Sequence, residues 1–145
     1  MKGRLLVIDD EKAFCSFLRC VFGNAGYHVE TARNGREGLA LARAGAFEAI
    51  ITDMIMPELD GRGMIARLRA DGNEVPIVAI TAYTPYEINL DAADTQCIDQ
   101  LIRKPFTAHQ IRNAVEGAIL SAAHREKQEI PAAESFGMPF RNQGL

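Results

Sequence analysis

Short apolar segments alternate with helix-like segments along most of the chain. The apolar segments are β-rich and lie at residues 4–9, 28–32, 49–53, 75–81 and about 98–103. Two of these segments are apolar at every position over residues 5–8 and 77–80, which is typical of a parallel strand that helices cover on both faces. Each apolar segment is followed by a stretch with helical spacing, so the pattern predicts repeated βα units.

Apolar spacing and capping residues predict five helices. The second begins at Asn34 and the third at Asp60, both favourable N-cap residues. The fifth opens with the capping box Thr107–Gln110. The fourth has a poor apolar stripe and is the weakest of the five. The predicted helices occupy about residues 13–24, 34–45, 60–71, 85–95 and 107–122.

Five consecutive βα units predict an α/β fold with a doubly wound, five-stranded parallel sheet and five helices. Ligands of such sheets bind beyond the carboxyl ends of the strands, where the strand order reverses. We expect one domain over residues 1–125. In residues 126–145 prolines and glycines interrupt any pattern and few apolar residues remain, so we expect a disordered C-terminal tail.

Composition and charge restrict the possible partners of the protein. The net charge of −3 argues against direct binding to nucleic acid or to an anionic membrane, since both partners are bound mainly through excess Lys and Arg. The three cysteines have neither disulfide nor zinc-site spacing. We expect neither a signal peptide nor a transmembrane segment, because the apolar stretch at residues 5–8 is too short for the first and no window is apolar enough for the second. We therefore expect a cytoplasmic protein whose partner is a protein or a small molecule.

Five polar residues follow the predicted strands and meet at one edge of the sheet: Asp9, Asp10, Asp53, Thr81 and Lys104. Taken singly, each could be a helix cap, a turn residue or a solvated side chain. Three carboxylates in one crevice repel each other, so either some of them take up protons or a cation compensates their charge. Oxygen ligands suit Mg²⁺, with Mn²⁺ as an alternative, and the lysine and threonine could hold a tetrahedral dianion.

The order and spacing of five motifs resemble the receiver domain of two-component response regulators, over about residues 4–122. The motifs are Asp9-Asp10, Asp53 with Met56-Pro57, Asp60-Gly61, Thr81-Ala82 and Lys104-Pro105-Phe106. The resemblance implies a flavodoxin-like sheet with strand order 2-1-3-4-5. It also implies a stand-alone receiver that switches protein contacts through the fourth helix, fifth strand and fifth helix.

The resemblance assigns the phosphoryl chemistry to named positions. Asp53 would accept a phosphoryl group from a phosphohistidine of a histidine kinase or phosphotransfer protein. Asp10, Asp53 and the main-chain carbonyl of Ile55 would bind Mg²⁺, and Asp9 would complete the acidic pocket. Lys104 would pair with the phosphoryl oxygens.

The resemblance also implies a switch. Thr81 would hydrogen-bond the phosphoryl group with help from the Ala82 amide. The family usually has an aromatic residue three positions before the lysine, where this chain has Leu101, so its switch is either muted or made by a smaller side chain. Ile55 and Tyr83 would limit the access of water, so we expect slow dephosphorylation.

Two other classes of function remain open. A pseudo-receiver would bind partners without being phosphorylated, for which Leu101 and the weak fourth helix are the hints. A phosphohydrolase with an aspartate nucleophile would resemble the haloacid-dehalogenase family, but it would need a second aspartate where this chain has Ile55. The downstream protein partner and a phosphorylation-linked homodimer are left open by the sequence.

Overall fold

The computed structural model describes residues 2–54, 56, 59–82 and 90–134, with side chains described as far as residue 125. Within these residues the strands are β1 Arg4–Ile8, β2 His28–Ala32, β3 Ala49–Asp53, β4 Ile77–Thr81 and β5 Gln100–Arg103. The helices are α1 Lys12–Asn24, α2 Gly35–Ala44, α3 Gly61–Ala70, α4 Ala92–Gln96 and α5 Ala108–Glu134.

The strands form one parallel sheet in the order β2-β1-β3-β4-β5. This order confirms the predicted doubly wound, flavodoxin-like fold. The chain steps from β1 to β2 on one side and then crosses to β3 on the other. The strand order therefore reverses between β1 and β3, and the carboxyl ends of these two strands border the expected ligand crevice.

Helices cover both faces of the sheet. In β1, Leu5 and Val7 pack in a cluster with residues of α1 and α5, whereas Leu6 and Ile8 pack in a second cluster with residues of α2 and α3. All four side chains are fully buried. The continuous apolar run in β1 is therefore explained by burial on both sides.

The predicted caps are present. Asn34 accepts a hydrogen bond from the backbone N–H of Glu37 at 2.8 Å, at the start of α2. Asp60 caps α3 by accepting from the Gly63 N–H at 2.9 Å. Before α5, Thr107 and Gln110 exchange two side-chain to backbone hydrogen bonds, which is the predicted capping box.

Two helices differ from their predicted limits. The described part of α4 lies at the end of the predicted range, with an Asp91–Asp94 capping box, and residues 83–89 lie outside the described residues. Helix α5 continues to Glu134, past the predicted start of the tail at residue 126. Residues 126–130 are mostly Glu, Lys and Gln, which are good helix formers, so local propensity favours continuation of the helix. Residues 135–145 lie outside the described residues.

Candidate functional site

Three carboxylates meet at the carboxyl ends of β1 and β3. Asp9 and Asp10 follow β1, and Asp53 is the last residue of β3. Each offers an oxygen within 4.8 Å of the others. Asp9 is buried, the Asp53 side chain is 15% exposed and Asp10 is exposed. The structure thus brings the three predicted aspartates together in a crevice that is open on the Asp10 side.

Lys104 supplies the opposite charge to this crevice. Its backbone N–H donates to the Thr81 carbonyl at 2.8 Å, which fixes the segment after β5 beside the end of β4. Its Nζ lies 3.5 Å from Asp9 Oδ2, 3.7 Å from Asp53 Oδ2 and 3.4 Å from Glu11 Oε1. The peptide bond that follows, Lys104–Pro105, is cis. The ammonium group is therefore shared among the carboxylates of the crevice.

An aromatic pair lies against the lysine. The Lys104 Nζ lies 4.3 Å from the ring centroid of Phe14 in α1. Phe106 meets the Phe14 ring edge-on, with 5.6 Å between the centroids. A cation over an aromatic face is attracted by the ring quadrupole, so Phe14 helps to orient the ammonium group.

Sequence reasoning missed two of these contacts. Glu11 directly follows Asp9 and Asp10 in the sequence, and this acidic run could have indicated that Glu11 also lies near the site. Phe14 was counted with the apolar stripe of α1, and the periodicity has no feature that separates a core phenylalanine from one that also faces a lysine.

The charges of the crevice shift one another's pKa values. Burial raises the pKa of the Asp9 carboxyl to about 6. The nearby Asp53 charge also raises this pKa, whereas the hydrogen bond from the Glu11 N–H and the charge of Lys104 lower it. Burial alone would lower the pKa of the Lys104 ammonium, but Asp9, Asp53 and Glu11 outweigh it and raise the pKa above its ordinary value. The acidic neighbours therefore stabilise the charged form of Lys104.

Two glycines approach the backbone of the β3–α3 segment, which begins at Asp53. The Gly61 N–H donates to the Met54 carbonyl at 3.1 Å, and a Cβ at Gly61 would lie 2.2 Å from the Asp53 carbonyl oxygen. The Gly35 N–H donates to the Leu59 carbonyl at 2.8 Å, where a Cβ would lie 2.1 Å from that oxygen. Helices α2 and α3 can approach the β3–α3 segment this closely because both begin with glycine.

Residues of the predicted switch lie on the neighbouring strands. Thr81, the last residue of β4, is buried, and Ala82 is exposed. Leu101 of β5 pairs with Ala79, so Leu101 and Thr81 lie on the same face of the sheet. Leu101 packs against the core cluster that includes the residues of α2 and α3. Ile55, another predicted site residue, lies outside the described residues.

The donor set suits a hard divalent cation. The three carboxylates offer oxygen ligands, which Mg²⁺ and Mn²⁺ prefer. The crevice holds the carboxylates of Asp9, Asp10 and Asp53 against one lysine, so its acidic charge is not fully compensated. An added cation would relieve this repulsion, so the residues present fit a Mg²⁺ ion.

The fold and the crevice define the class of flavodoxin-like α/β domains with an acidic site at the point where the strand order reverses. The sequence model of the response regulator receiver domain matches residues 5–116. The chain therefore belongs to the response regulator receiver family of two-component signalling.

Individual relatives agree with this assignment. The chain is 32% identical to the transcriptional regulatory protein ZraR of Escherichia coli (strain K12), over 97% of this chain and 32% of that protein. It is 31% identical to the response regulator MprA of Mycolicibacterium vanbaalenii, over 100% of this chain and 61% of that protein. The chain thus spans about a third of the length of ZraR and about three-fifths of the length of MprA.

Solved structures show the same fold. The receiver domain of the Francisella response regulator 1452 superposes with a TM-score of 0.74 at 25% identity, over 83% of this chain and 99% of that one. The response regulator TrrA of Thermotoga maritima, solved in complex with Mg²⁺ and BeF, gives a TM-score of 0.71 at 28% identity, over 79% of this chain and 97% of that one. Among the described helices of this chain, none is both long and apolar enough to cross a membrane.

Proposed function

We propose that Asp53 accepts a phosphoryl group from a phosphohistidine of a histidine kinase or phosphotransfer protein. The observation that carries this proposal is the position of Asp53, a largely buried carboxylate 3.7 Å from the Lys104 ammonium and beside Asp9 and Asp10. A carboxylate oxygen of Asp53 forms a bond to phosphorus, the phosphorus–nitrogen bond breaks, and its electron pair stays on the imidazole of the donor.

The neighbouring residues favour this transfer through charge and position. Asp10 and Asp53, with the Ile55 carbonyl, would hold Mg²⁺ or Mn²⁺, and Asp9 would complete the pocket. The bound ion would neutralise charge on the carboxylates and the phosphoryl oxygens. Lys104 moves from its carboxylate partners to the phosphoryl oxygens, while Phe14 and Phe106 limit where its ammonium group can lie. The Mg²⁺ and BeF complex of the relative TrrA supports the choice of ion.

The phosphorylated state is read by a protein partner. The Thr81 hydroxyl and the Ala82 N–H bind the phosphoryl group. When Thr81 moves, Leu101 on the same sheet face moves with it, and Leu101 occupies less space than an aromatic ring would. The change reaches α4, β5 and α5, the surface for the downstream protein or for a second copy of the chain. Dephosphorylation is slow, and the cytoplasm is the expected compartment.

The mass of the intact protein tests the proposal. The protein is incubated with a small-molecule phosphodonor, with and without Mg²⁺, as wild type, Asp53→Asn and the control Asp71→Asn, an aspartate that pairs with Arg43 outside the crevice. We expect one added phosphoryl group in the wild type and in the control when Mg²⁺ is present, and none in Asp53→Asn.

Two other results would contradict the proposal. A folded, Mg²⁺-binding wild type that gains no mass would favour a pseudo-receiver that binds partners without phosphorylation. Rapid release of many phosphate molecules per protein would instead favour a phosphohydrolase.

A further inference from the structure

Polar contacts hold helix α4 in place. All residues of α4 are described, and none of them is buried. By contrast, α2 and α3 each bury several residues against the sheet. Burial of an apolar face usually fixes a helix on its neighbours. The position of α4 must therefore depend more on its polar contacts than the positions of the other helices do.

Two arginines of α3 bind α4, one at its middle residue and one at its carboxyl end. Arg62, in the first turn of α3, places an Nη2 atom 2.5 Å from Asp94 Oδ2. Arg69, in the last turn, donates from Nε and Nη2 to the Cys97 carbonyl at 3.0 and 2.8 Å, where α4 ends. Arg62 and Arg69 are seven residues apart, which is about two helical turns, so they extend from the same side of α3.

The two arginines have different surroundings. Arg69 also donates to the Asn73 carbonyl at 2.9 Å and lies 3.6 Å from Asp99, near the amino ends of β4 and β5. Arg62 instead directly follows Gly61, whose backbone is packed against the Asp53 carbonyl. The Arg62–Asp94 ion pair is thus the contact that joins α4 to the backbone beside the proposed phosphoacceptor.

Packing under this ion pair is incomplete. A small pocket of about 20 Å³ that opens to solvent lies between α3 and α4, and Met54, Ile65 and Cys97 are among the residues that line it. Side chains that border such a pocket lack packing partners on that side, so they forfeit dispersion contacts. Apolar packing therefore does little to oppose a shift of α4 at this joint.

The proposed switch residues lie on the face of the sheet against which the residues that follow α4 pack. Thr81 and Leu101 share a sheet face, and Leu101 packs against the same core cluster as Cys97 and Ile98, which follow α4. Movement of Thr81 toward Asp53 would therefore change the packing of the residues that directly follow α4.

We propose that the Arg62–Asp94 ion pair is a latch that holds α4 in the position of the unphosphorylated protein, with Arg62 as a positioning residue for the phosphoryl site. This inference rests on the proposed function. Coupling between two sites is reciprocal, so a contact that stabilises the unphosphorylated state weakens the binding of a phosphoryl analogue by the same factor. Loss of the latch should tighten that binding.

The test compares Arg62→Met with the matched control Arg67→Met, an exposed arginine of the same helix. Amide hydrogen exchange reports the stability of residues 92–97 in the unphosphorylated protein. Titration with beryllofluoride in the presence of Mg²⁺ reports affinity for a phosphoryl analogue. For Arg62→Met we expect faster exchange in α4 and an affinity about two- to fivefold higher, since partly exposed ion pairs contribute modestly. Arg62→Lys should restore most of the wild-type behaviour.

A double substitution tests the pairing itself. Asp94→Asn keeps an oxygen that can accept the Asp91 N–H, so the capping box of α4 is preserved. If Arg62 acts through Asp94, the variant with both Arg62→Met and Asp94→Asn should change the affinity no more than Arg62→Met alone. Additive effects would overturn the assigned pairing.

The two measurements separate failure of the latch from failure of the proposed function. Unchanged exchange in α4 of Arg62→Met would overturn the latch whatever the titration shows. Faster exchange with unchanged beryllofluoride affinity would overturn the coupling and leave the proposed function standing. A folded wild type that does not bind beryllofluoride with Mg²⁺ would overturn both.

Discussion

Asp9 is the residue at which burial and charge conflict most strongly. Its side chain is 1% exposed, its Oδ1 accepts the Glu11 N–H at 2.9 Å, and its Oδ2 lies 3.5 Å from Lys104. Burial raises its pKa to about 6, so its neutral form persists well above the ordinary value of 3.8. The acidic crevice therefore acquires its full negative charge near neutral pH, where Mg²⁺ binding is expected to be strongest.

The raised pKa of Asp9 predicts a pH-dependent stability. Between pH 3.8 and about 6 the folded protein keeps a proton that the unfolded chain has released, so rising pH lowers the free energy of unfolding through this group. Asp9→Asn, which retains an acceptor for the Glu11 N–H, should therefore be more stable than wild type by about 1–3 kcal/mol at pH 7.5. The gain should shrink toward zero near pH 4.

Urea unfolding in the presence of a chelator measures this effect without bound metal. The control is Asp10→Asn, since Asp10 is exposed and its substitution should change stability much less. Equal stabilities of wild type and Asp9→Asn at pH 7.5 would contradict the prediction.

At the scale of elements, helix starts position the site. Helices α2 and α3 both begin with a capping residue followed by glycine, Asn34-Gly35 and Asp60-Gly61. The caps are local and were predicted from the sequence. The glycines are needed because each helix start touches a backbone carbonyl of the β3–α3 segment. The contact between α3 and α4 is of a different kind, since the side chains of two arginines make it.

A matched pair of glycine substitutions tests this role. In Gly61→Ala the new Cβ would lie 2.2 Å from the Asp53 carbonyl oxygen, so we expect a loss of about 2–4 kcal/mol in stability and weaker Mg²⁺ binding. In Gly117→Ala, within α5, the Cβ meets nothing within 4 Å, so we expect a gain of about 0.5–1 kcal/mol. Urea unfolding and Mg²⁺ titration measure both variants. Comparable stability of the two would refute the close-approach explanation.

At the scale of the whole molecule, the sheet separates two apolar clusters. One joins the sheet to α1 and α5, and the other joins it to α2 and α3. The functional crevice lies at the sheet edge between these layers, so its backbone is supported from both faces. Phe22 in α1 is fully buried in the first cluster, whereas Phe17 in the same helix is 41% exposed.

Two substitutions in α1 measure the contribution of that packing. Phe22→Ala removes a fully buried ring and should lower the free energy of unfolding by about 3–5 kcal/mol. Phe17→Ala removes a partly exposed ring from the same helix and should cost less than about 1 kcal/mol. Chemical denaturation of both variants checks the difference. Similar losses would show that α1 is not held mainly by its buried face.

The sequence by itself determined the elements whose signals are local. Continuous apolar runs predicted the central strands, and Asn34, Asp60 and the Thr107–Gln110 box predicted three helix starts, because capping involves residues a few positions apart. Helix α5 ends later than predicted because good helix formers continue up to Pro131, and the prolines and glycines of the tail do not end the helix before Glu134.

Only the tertiary structure decided the surroundings of the site residues. The contacts of Lys104 with Asp9 and Phe14, and of Gly61 with the Asp53 carbonyl, depend on how helices and loops close over the sheet. The Arg62–Asp94 pair likewise joins residues that are 32 positions apart. Burial and charge at such contacts are set by segments distant in the chain, whereas periodicity and capping report local conformation.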